Sequence, residues 1–445
     1  MTHELGSRED CRYKLWRWRI FFITWLAYGG FYLTRKSFSV AKIGLGEDPN
    51  ITMSNATMGA IDFAYLTAYA VGQFLWGVFG DRFGTRKIIL VGMGCSVVAA
   101  FAMGLSPLVL LLGVFFCIQG LCQSSGWAPL TKNIGYWFSR QERGRVMGWW
   151  CTNYAIGGAI ASAIAGLAAE HLGHWRYAFF VPAGLLACIW LLFLILQRNR
   201  PLDVGLPPIE EYTNEIPATS VSKERPKETA RESWTTIVAV LRNPMVILMG
   251  AVYFLLKPTR YAILFWGPKL LNEQLDTGMG ESALISACFE LGGPLGVLFG
   301  GYVSDLLFRA KRMPISIISL FMLAGILFGF NHFASYESKW IIAALLFSIG
   351  FLLYIPDSLL SGTAAIDFGT KKGASTAAGL INGLGSVGAI LGGSLPGIVS
   401  ERWGWNVLFT TLAVTVALAA LLLMPKWNAV PATSESAASS QQRQT

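Results

Sequence analysis

Four basic side chains lie inside long apolar stretches of this sequence, where a cation is costly. Arg35 and Lys36 interrupt the run YGGFYLTRKSFSV, and Lys257 and Arg260 interrupt the run VYFLLKPTRYAILFWGP. A cation at the centre of a bilayer costs about 2.5–3.5 kcal/mol on insertion scales, so four of them need a common reason. Cations held in an apolar interior without enough acidic partners predict a binding site for an anion.

Helical spacing predicts which neighbours share this site on the first helix. Tyr28, Tyr32 and Arg35 are spaced i, i+4 and i+7, so they lie on one helix face. A guanidinium offers a fork of donors that matches phosphate oxygens and stays charged when desolvated, and tyrosine hydroxyls can add neutral donors. Lys36 is about 100° away around the helix. Its side chain either lines the cavity or snorkels to the membrane surface, and both alternatives stay open.

The second pair of cations, Lys257 and Arg260, has two possible acidic partners that also lie in apolar sequence. Lys257 and Arg260 are three residues apart and share a face, with Pro258 between them favouring a kink. Two acids also fall in apolar sequence, Glu290 in FELGGPLG and Asp357 in LYIPDSLL. Either can be a counter-ion in the empty site or a proton carrier. Together they offset only part of the positive charge, which leaves some for a phosphate ester of about −1.5 to −2.

The composition identifies the class of protein that must hold these cations. The 445 residues are 53% hydrophobic and 14% charged, with a mean hydropathy of +0.49, whereas soluble proteins carry about 25% charged residues. The apolar stretches are continuous and do not alternate, which predicts membrane-spanning helices rather than barrel strands. We expect no cleavable signal peptide, because residues 1–19 are polar and basic and lead straight into the first span.

We predict an all-α membrane protein with twelve transmembrane helices in two pseudo-symmetric six-helix bundles. The first bundle covers 18–197 and the second covers 242–424. A polar segment, 198–241, is predicted to be a cytoplasmic linker between them. We expect 1–17 to form a cytoplasmic N-terminus and 425–445 a disordered cytoplasmic tail. The predicted spans are 18–43, 57–80, 87–106, 108–137, 143–169, 176–197, 242–268, 280–304, 313–332, 338–364, 373–400 and 404–424.

The net charge of +9 is a topology signal rather than a sign of nucleic-acid binding. With both termini on one side, the loops of the opposite side hold five of the 35 Lys and Arg residues, and five more fall within spans. The other 25 lie on the side of the termini, so the positive-inside rule places both termini in the cytoplasm. With residues at the span ends counted in the adjoining loops, the outer-loop residues are Lys42, Arg176, Lys269, Lys339 and Arg402, and those within spans are Arg35, Lys36, Lys132, Lys257 and Arg260.

The two halves repeat one motif at the cytoplasmic end of their second span. A Gly, three residues, an Asp and a basic loop follow each other in both halves. The Gly allows close approach of a neighbouring helix, and the Asp can cap a facing helix or pair with a loop arginine. Such a repeat is typical of transporters whose substrate site lies near the midplane between two halves. The residues are Gly77, Asp81, Arg82 and Arg86 in the first copy and Gly301 and Asp305 in the second.

The first copy of the motif resembles the signature of the major facilitator superfamily. Within it, four segments resemble the organophosphate:phosphate antiporter family, which includes bacterial glycerol-3-phosphate and hexose-phosphate transporters. These segments are YLTRKSF from Tyr32, GWAP from Gly126, ERG from Glu142 and GLPPIEEY from Gly205. The segment DFAYLTAYAVG from Asp62 resembles the eukaryotic sugar-phosphate exchanger branch. The resemblance extends from about residue 12 to residue 425.

This resemblance implies roles for individual residues. In the family, one Arg of helix one and one of helix seven clamp the phosphate across the two-fold axis, and these correspond to Arg35 and Arg260. Lys257 matches a lysine of the eukaryotic branch. Three positions depart from the bacterial glycerol-phosphate branch, which has Lys, His and Asp at or near them, so its substrate preference does not transfer directly. These positions are Gln73, Tyr154 and Phe265.

A sugar also needs neutral hydrogen-bonding groups and an aromatic plane, which polar and aromatic residues within the spans can supply. For each of them a packing role between helices is equally compatible with the sequence. These secondary candidates are Tyr69, Gln73, Gln123, Trp127, Lys132, Asn153, Tyr154, Tyr354 and Asn382.

We therefore expect a multi-pass transporter of the bacterial inner membrane that exchanges a sugar phosphate or another organophosphate for inorganic phosphate by alternating access. Two alternatives stay open: a proton-coupled organophosphate symporter, and a transporter-like sensor of sugar phosphate with a signalling partner. The sequence has no Walker motif, metal cluster or nucleophile constellation, so we expect no enzyme, no cofactor and no metal. We expect a monomer whose partners are the substrate, inorganic phosphate and the lipid bilayer, with no nucleic acid.

Overall fold

The computed structural model describes residues 7–49, 51, 53–213, 242–308, 311–334, 338–363 and 374–429. The described residues are almost entirely helical, as predicted. In the first half the helices are α1 (Ser7–Glu47), α2 (Asn55–Phe83), α3 (Thr85–Leu105), α4 (Val109–Gln123), α5 (Trp127–Trp137), α6 (Arg140–Trp150), α7 (Thr152–His171) and α8 (Tyr177–Leu196). In the second half they are α9 (Pro244–Leu275), α10 (Met279–Leu306), α11 (Arg312–Ala334), α12 (Lys339–Ser358) and α13 (Ala374–Leu423).

These helices correspond to the predicted membrane spans. Nine helical segments of the described residues are long and apolar enough to cross a membrane. The longest, Gly379–Lys426, contains two predicted spans, because the chain bends at Gly404, whose φ of 81° lies in the left-handed region that suits glycine. Helices α1 and α2 are not among the nine, and both carry buried charges within apolar sequence. The all-helical membrane fold predicted from the sequence is confirmed.

Two predicted spans are each built from two consecutive helices. The span 108–137 consists of α4 and α5, which are separated by a short turn after Gln123. The span 143–169 begins in α6 and continues in α7 after a break at Cys151. Hydropathy averaged over a whole span does not detect these breaks, because each is only one to three residues long.

Contacts divide the chain into two compact units. The first comprises Met1–Arg225 together with Phe265–Glu290, and the second comprises Pro226–Leu264 together with Leu291–Thr445. In the first unit, α1 packs against α7 and α8, α2 packs against α4, and α3 packs against α4 and α8. In the second unit, α11 packs against α12 and α13.

The first part of the segment assigned to the linker is folded against α1. The ring of Tyr13, fully buried, stacks on the ring of Tyr212 with centroids 3.8 Å apart. Tyr13 Oη donates to the Pro207 carbonyl at 3.2 Å, and Arg12 Nη2 donates to the Val204 carbonyl at 2.7 Å. The Tyr212 hydroxyl donates to the Asp10 carboxylate. Burial and this hydrogen bond to Asp10 raise the pKa of Tyr212 to about 12, so the phenol keeps its donor proton at neutral pH.

A close approach between α9 and α13 stabilises the second unit. A Cβ at Gly392 of α13 would lie 2.5 Å from the Pro258 carbonyl oxygen and 2.8 Å from its Cα. Glycine therefore lets the backbones meet here. Because Pro258 lies between Lys257 and Arg260 in α9, this contact also positions both cations.

We predict that Gly392→Ala lowers the thermal unfolding midpoint of the purified protein. The added methyl group cannot fit without moving α9, and overpacking of this kind costs about 1–3 kcal/mol. The matched control is Gly325→Ala in α11, where no described atom lies within 4 Å of the new Cβ. That control should be neutral or slightly stabilising, since Ala favours helices over Gly. Equal midpoints for the two variants would show that α9 and α13 do not meet at this position.

Candidate functional site

Arg35 is held inside the first unit by aromatic rings rather than by a carboxylate. Its side chain comes from α1 and the residue is only 5% exposed. The guanidinium lies over the ring of Tyr32 at 4.4 Å and over the ring of Tyr69, from α2, at 4.8 Å. Cation–π contacts are worth about 2 kcal/mol when the cation is desolvated, and no described carboxylate forms an ion pair with Arg35. The charge is therefore stabilised without being neutralised.

Gln123 fixes the direction in which this guanidinium points. Arg35 Nε donates to Gln123 Oε1 at 3.2 Å, and the Tyr65 hydroxyl donates to the same oxygen at 2.7 Å. Gln123 Nε2 in turn donates to Thr34 Oγ1 at 2.9 Å. The buried Nη2 of Arg35 has no hydrogen-bond partner among the described residues. An unsatisfied buried donor costs about 1–3 kcal/mol, and an oxyanion that accepts from Nη2 would remove this cost.

Aromatic side chains continue the site along α1. The ring of Tyr28 lies 5.5 Å from that of Trp127, 5.5 Å from that of Trp150 and 6.1 Å from that of Tyr32. Tyr28 is buried, whereas Trp127 is 36% exposed and presents part of its indole outside the cluster. A partly exposed indole face can pack against the apolar face of a sugar ring.

Lys36 pairs with Glu290 in the interior of the first unit. Lys36 is 1% exposed, and its Nζ lies 3.6 Å from Glu290 Oε2. The carboxylate lies close to α7 at Gly158, where a Cβ would fall 2.7 Å from the carboxyl carbon. The lysine therefore does not snorkel to the surface in this structure. Its charge is neutralised by one of the two acids predicted as counter-ions.

A second buried ion pair, between Lys42 and Asp62, was missed at the level of the sequence. Lys42 is 0% exposed on α1 and Asp62 is 1% exposed on α2, so the assignment of Lys42 to an outer loop is wrong. Lys42 Nζ donates to Asp62 and, at 3.1 Å, to the Phe265 carbonyl, and it lies 3.7 Å from the Trp266 ring centroid. Ser39 Oγ donates to the same carbonyl at 2.9 Å. The sequence signal that could have indicated this ion pair was Asp62, an acid within a predicted span.

In the second unit, both predicted binding-site cations, Lys257 and Arg260, pair with the carboxylate of Asp357. Lys257 Nζ lies 3.0 Å from Asp357 Oδ1, and Arg260 Nη1 lies 3.1 Å from Asp357 Oδ2. The lysine also lies 4.5 Å from the ring of Tyr253, and the guanidinium lies 4.6 Å from the ring of Tyr354. Each oxygen of Asp357 thus contacts one cation. The cluster carries a net charge of about +1 when all three groups are ionised.

An irregular end of α12 positions Asp357. Pro356 lies inside the helix, and the five residues Leu359–Thr363 continue the chain as a π-helix. Ser361 Oγ donates to the Asp357 carbonyl at 2.6 Å, which secures the turn. Short π segments are frequent at functional sites, and this one begins two residues after the carboxylate that holds both cations.

The remaining candidates differ in burial, and Tyr154 packs against the aromatic cluster that contains Tyr28, Tyr32 and Trp150. Gln73 and Asn382 are exposed on α2 and α13, and Lys132 and Tyr154 are half-buried on α5 and α7. Their part in substrate binding stays a prediction. Within the described ranges no group of three His, Cys, Asp or Glu side chains is placed to hold a metal ion.

The repeated cytoplasmic motif is described only in part. The burial and contacts of Gly77, Asp81, Arg82 and Asp305 lie outside what the structure describes. Arg86 donates its backbone N–H to Asn199 Oδ1 at 2.9 Å and its Nη2 to the Leu194 carbonyl at 2.5 Å, which joins the start of α3 to the end of α8. At Gly301 no described atom lies within 4 Å of a Cβ position, so the expected close approach is not seen there.

Comparison with known proteins identifies the class to which this arrangement belongs. The family model described as the Major Facilitator Superfamily matches residues 20–391. A probable hexose phosphate transport protein of Chlamydia trachomatis is 32% identical over 428 residues, which cover 94% of this chain and 92% of that protein. The membrane sensor protein UhpC of Escherichia coli is 31% identical over 429 residues, or 94% of each chain.

Two further matches extend this comparison. The glucose-6-phosphate exchanger SLC37A2 of Xenopus laevis is 28% identical over 472 aligned residues, which cover 94% of this chain and 93% of that protein. The crystal structure of a D-xylose-proton symporter superposes with a TM-score of 0.69, covering 93% of this chain and 98% of that one. At 12% identity, the symporter supports the fold alone.

We predict that Asp62→Asn destabilises the protein strongly, because it leaves the ammonium group of Lys42 buried without its carboxylate. Breaking a buried ion pair from one side costs about 3–5 kcal/mol. The double variant Lys42→Met/Asp62→Asn should recover most of this loss, since it removes both charges. The measurement is the thermal unfolding midpoint in detergent, with the exposed Asp276→Asn as control. A double variant no more stable than Asp62→Asn would mean that the ion pair is not the source of the effect.

Proposed function

The chain belongs to the Major Facilitator Superfamily, and from this premise we propose that it exchanges a sugar phosphate or another organophosphate for inorganic phosphate by alternating access. It is a multi-pass membrane transport protein and not an enzyme. The observation that carries the proposal is Arg35, a buried guanidinium that is stabilised by rings, oriented by Gln123 and left with a free donor at Nη2. A phosphoryl oxygen supplies the acceptor and the negative charge that this group lacks.

The cluster of the second unit supports a phosphate as the partner of Arg260 and Lys257. The two oxygens of Asp357 contact these cations separately, at 3.0 and 3.1 Å. Two oxygens of a phosphoryl group can take the same two places. We propose that Asp357 is an internal counter-ion that holds the cations together in the empty transporter and yields them to the substrate. Glu290 has the corresponding role for Lys36.

The proposed cycle uses charge to control closure. With no substrate, the charge on Arg35 and the net charge around Arg260 oppose the closing of the two halves. A bound phosphate group of about −1.5 to −2 neutralises both and permits closure. Because each anion that enters requires another to leave, exchange needs no ion gradient of its own. We also propose that the protein is a monomer of a bacterial inner membrane with both termini in the cytoplasm, as its basic residues indicate.

A hexose phosphate is the best-supported substrate class. The named relatives include a hexose phosphate transport protein and a glucose-6-phosphate exchanger. The partly exposed indole of Trp127, packed on Tyr28, offers a surface for a sugar ring beside the phosphate-binding guanidinium.

The deciding experiment uses proteoliposomes loaded with inorganic phosphate and an external radiolabelled substrate. We expect glucose-6-phosphate to enter only when phosphate is inside, and to compete with glycerol-3-phosphate and phosphoglycerate in a substrate panel. A proton symporter would instead take up substrate under a pH gradient without internal phosphate. A sensor, favoured by the relative named as a membrane sensor, would bind substrate saturably without flux.

We predict that Arg35→Ala and Arg260→Ala each reduce phosphate exchange at least thirtyfold. Removing one partner of a buried charge-assisted contact costs about 2–5 kcal/mol, and 1.4 kcal/mol corresponds to about tenfold. The matched control is Arg402→Ala, at an exposed position, which should exchange normally. Initial rates are compared at equal protein incorporation, and near-normal exchange by both variants would exclude the phosphate clamp.

We predict that Asp357→Asn lowers the KM for inorganic phosphate by several-fold while exchange continues. The variant no longer has a carboxylate that competes with phosphate for Lys257 and Arg260. If Asp357 carried a proton for symport, the same substitution would abolish uptake driven by a pH gradient. Phosphate self-exchange as a function of concentration, with and without that gradient, separates the two roles. An unchanged KM would exclude the counter-ion role.

A further inference from the structure

A groove on the surface of the first unit has no part in the function proposed above. It lies between the first half of α1 and the junction of α6 with α7, and its volume is about 700 Å³. Six aromatic side chains line it, among them Trp18 and Phe22 of α1 and Trp149 of α6. The charged groups of the lining are Lys14, Arg17 and Glu142. All belong to the described first unit.

The groove is polar at one end and apolar along the rest of its length. Lys14 and Arg17 stand at its beginning on α1, and Trp25 stands at its far end. The distance from Lys14 to Trp25 is about 16 Å at 1.5 Å per residue. This is close to half of the bilayer hydrocarbon core of about 30 Å. Since the first predicted span begins at residue 18, the groove runs from the level of the lipid headgroups through one leaflet.

The exposure of the aromatic side chains indicates what covers them. Trp18 is 59% exposed, Phe22 is 61% exposed and Trp149 is 70% exposed. Three large apolar groups facing water at one place would be costly, at about 25 cal/mol per Å² of apolar surface. Tryptophan is favoured at the membrane interface, where its ring meets acyl chains and its N–H meets the headgroup region. The groove is therefore suited to an acyl chain and unsuited to a water-borne sugar phosphate.

The basic end of the groove selects the headgroup. Arg17 is committed, because it pairs with Glu142 and lies 4.7 Å from the ring of Phe138. Lys14 is different: its side chain is 63% exposed, and its only described partner is Asp10, one helical turn away. Exposed i,i+4 ion pairs are worth about 0.3–0.5 kcal/mol, so the ammonium can exchange this partner for a phosphate at little cost.

We propose that this groove is a binding site for one anionic phospholipid of the cytoplasmic leaflet. Its phosphate meets Lys14, and an acyl chain lies along Trp18, Phe22 and Trp149. The lipid spans α1 and the α6–α7 junction, which Arg17 and Glu142 already join. It thereby holds the cytoplasmic part of the helix that carries Arg35.

The test measures quenching of tryptophan fluorescence in the purified full chain by phospholipids with brominated acyl chains. Phosphatidylglycerol should quench saturably, with several-fold higher affinity than phosphatidylcholine of the same chains. Val146→Phe, which narrows the groove, should remove the saturable part, whereas Val98→Phe, at a 68% exposed position of α3, should retain it. Lys14→Gln should weaken phosphatidylglycerol binding about fivefold, the equivalent of one surface charge, and Lys87→Gln should not.

Five outcomes would overturn the proposal. These are quenching without saturation, equal affinity for the two lipids, equal binding by Val146→Phe and Val98→Phe, equal phosphatidylglycerol binding by Lys14→Gln and Lys87→Gln, or displacement of brominated lipid by millimolar inorganic phosphate. The last would make the groove a site for soluble phosphate compounds. Lys14 is exposed and its substitution leaves the core intact. Phosphatidylglycerol binding by Lys14→Gln therefore tests the proposal even if Val146→Phe fails to fold.

Discussion

The structure depends on how each cation in an apolar interior is compensated where water does not reach it. The first unit uses two solutions. Lys36 and Lys42 are each neutralised by a carboxylate, whereas Arg35 is stabilised by the faces of Tyr32 and Tyr69. The second unit uses a shared carboxylate, Asp357, for two cations. These choices affect the helix packing around them, because every partner except Tyr32 comes from a helix other than that of its cation.

The pairing of Lys42 ties a segment of the second half of the sequence into the first unit. Lys42 and Ser39 both donate to the Phe265 carbonyl, and Lys269 Nζ lies 3.5 Å from the Lys42 carbonyl. A lysine of α1 thus donates to a main-chain carbonyl of α9, and a lysine of α9 donates to a main-chain carbonyl of α1. Such reciprocal contacts fix both the register and the rotation of the helices, since a shift of one residue would break both.

Much of this could be predicted from the sequence, and what could not has physical causes. Continuous hydropathy is a local property, so the spans and the apolar setting of Arg35 and Arg260 were predictable. The burial of Lys42 was not predictable, because the apolar stretch ends at the charge itself. The carboxylate that neutralises it, Asp62, comes from another helix. The folded segment before Tyr212 was missed for a similar reason, since its polar composition hides the stacking of two tyrosines. Spacing alone likewise could not decide which acid pairs with which cation.

The different compensation of Arg35 and of the Lys257–Arg260 pair has a consequence for the proposed binding of phosphate. Aromatic faces do not have to leave when an anion arrives, so in the proposed function Arg35 donates to a phosphoryl oxygen without losing a partner. At Lys257 and Arg260 the proposed phosphate would have to displace Asp357, which already pairs with both cations. Under the proposed function, the two sites therefore differ in what an arriving phosphate must displace. At Arg35 it displaces no protein group, whereas at Lys257 and Arg260 it displaces a carboxylate.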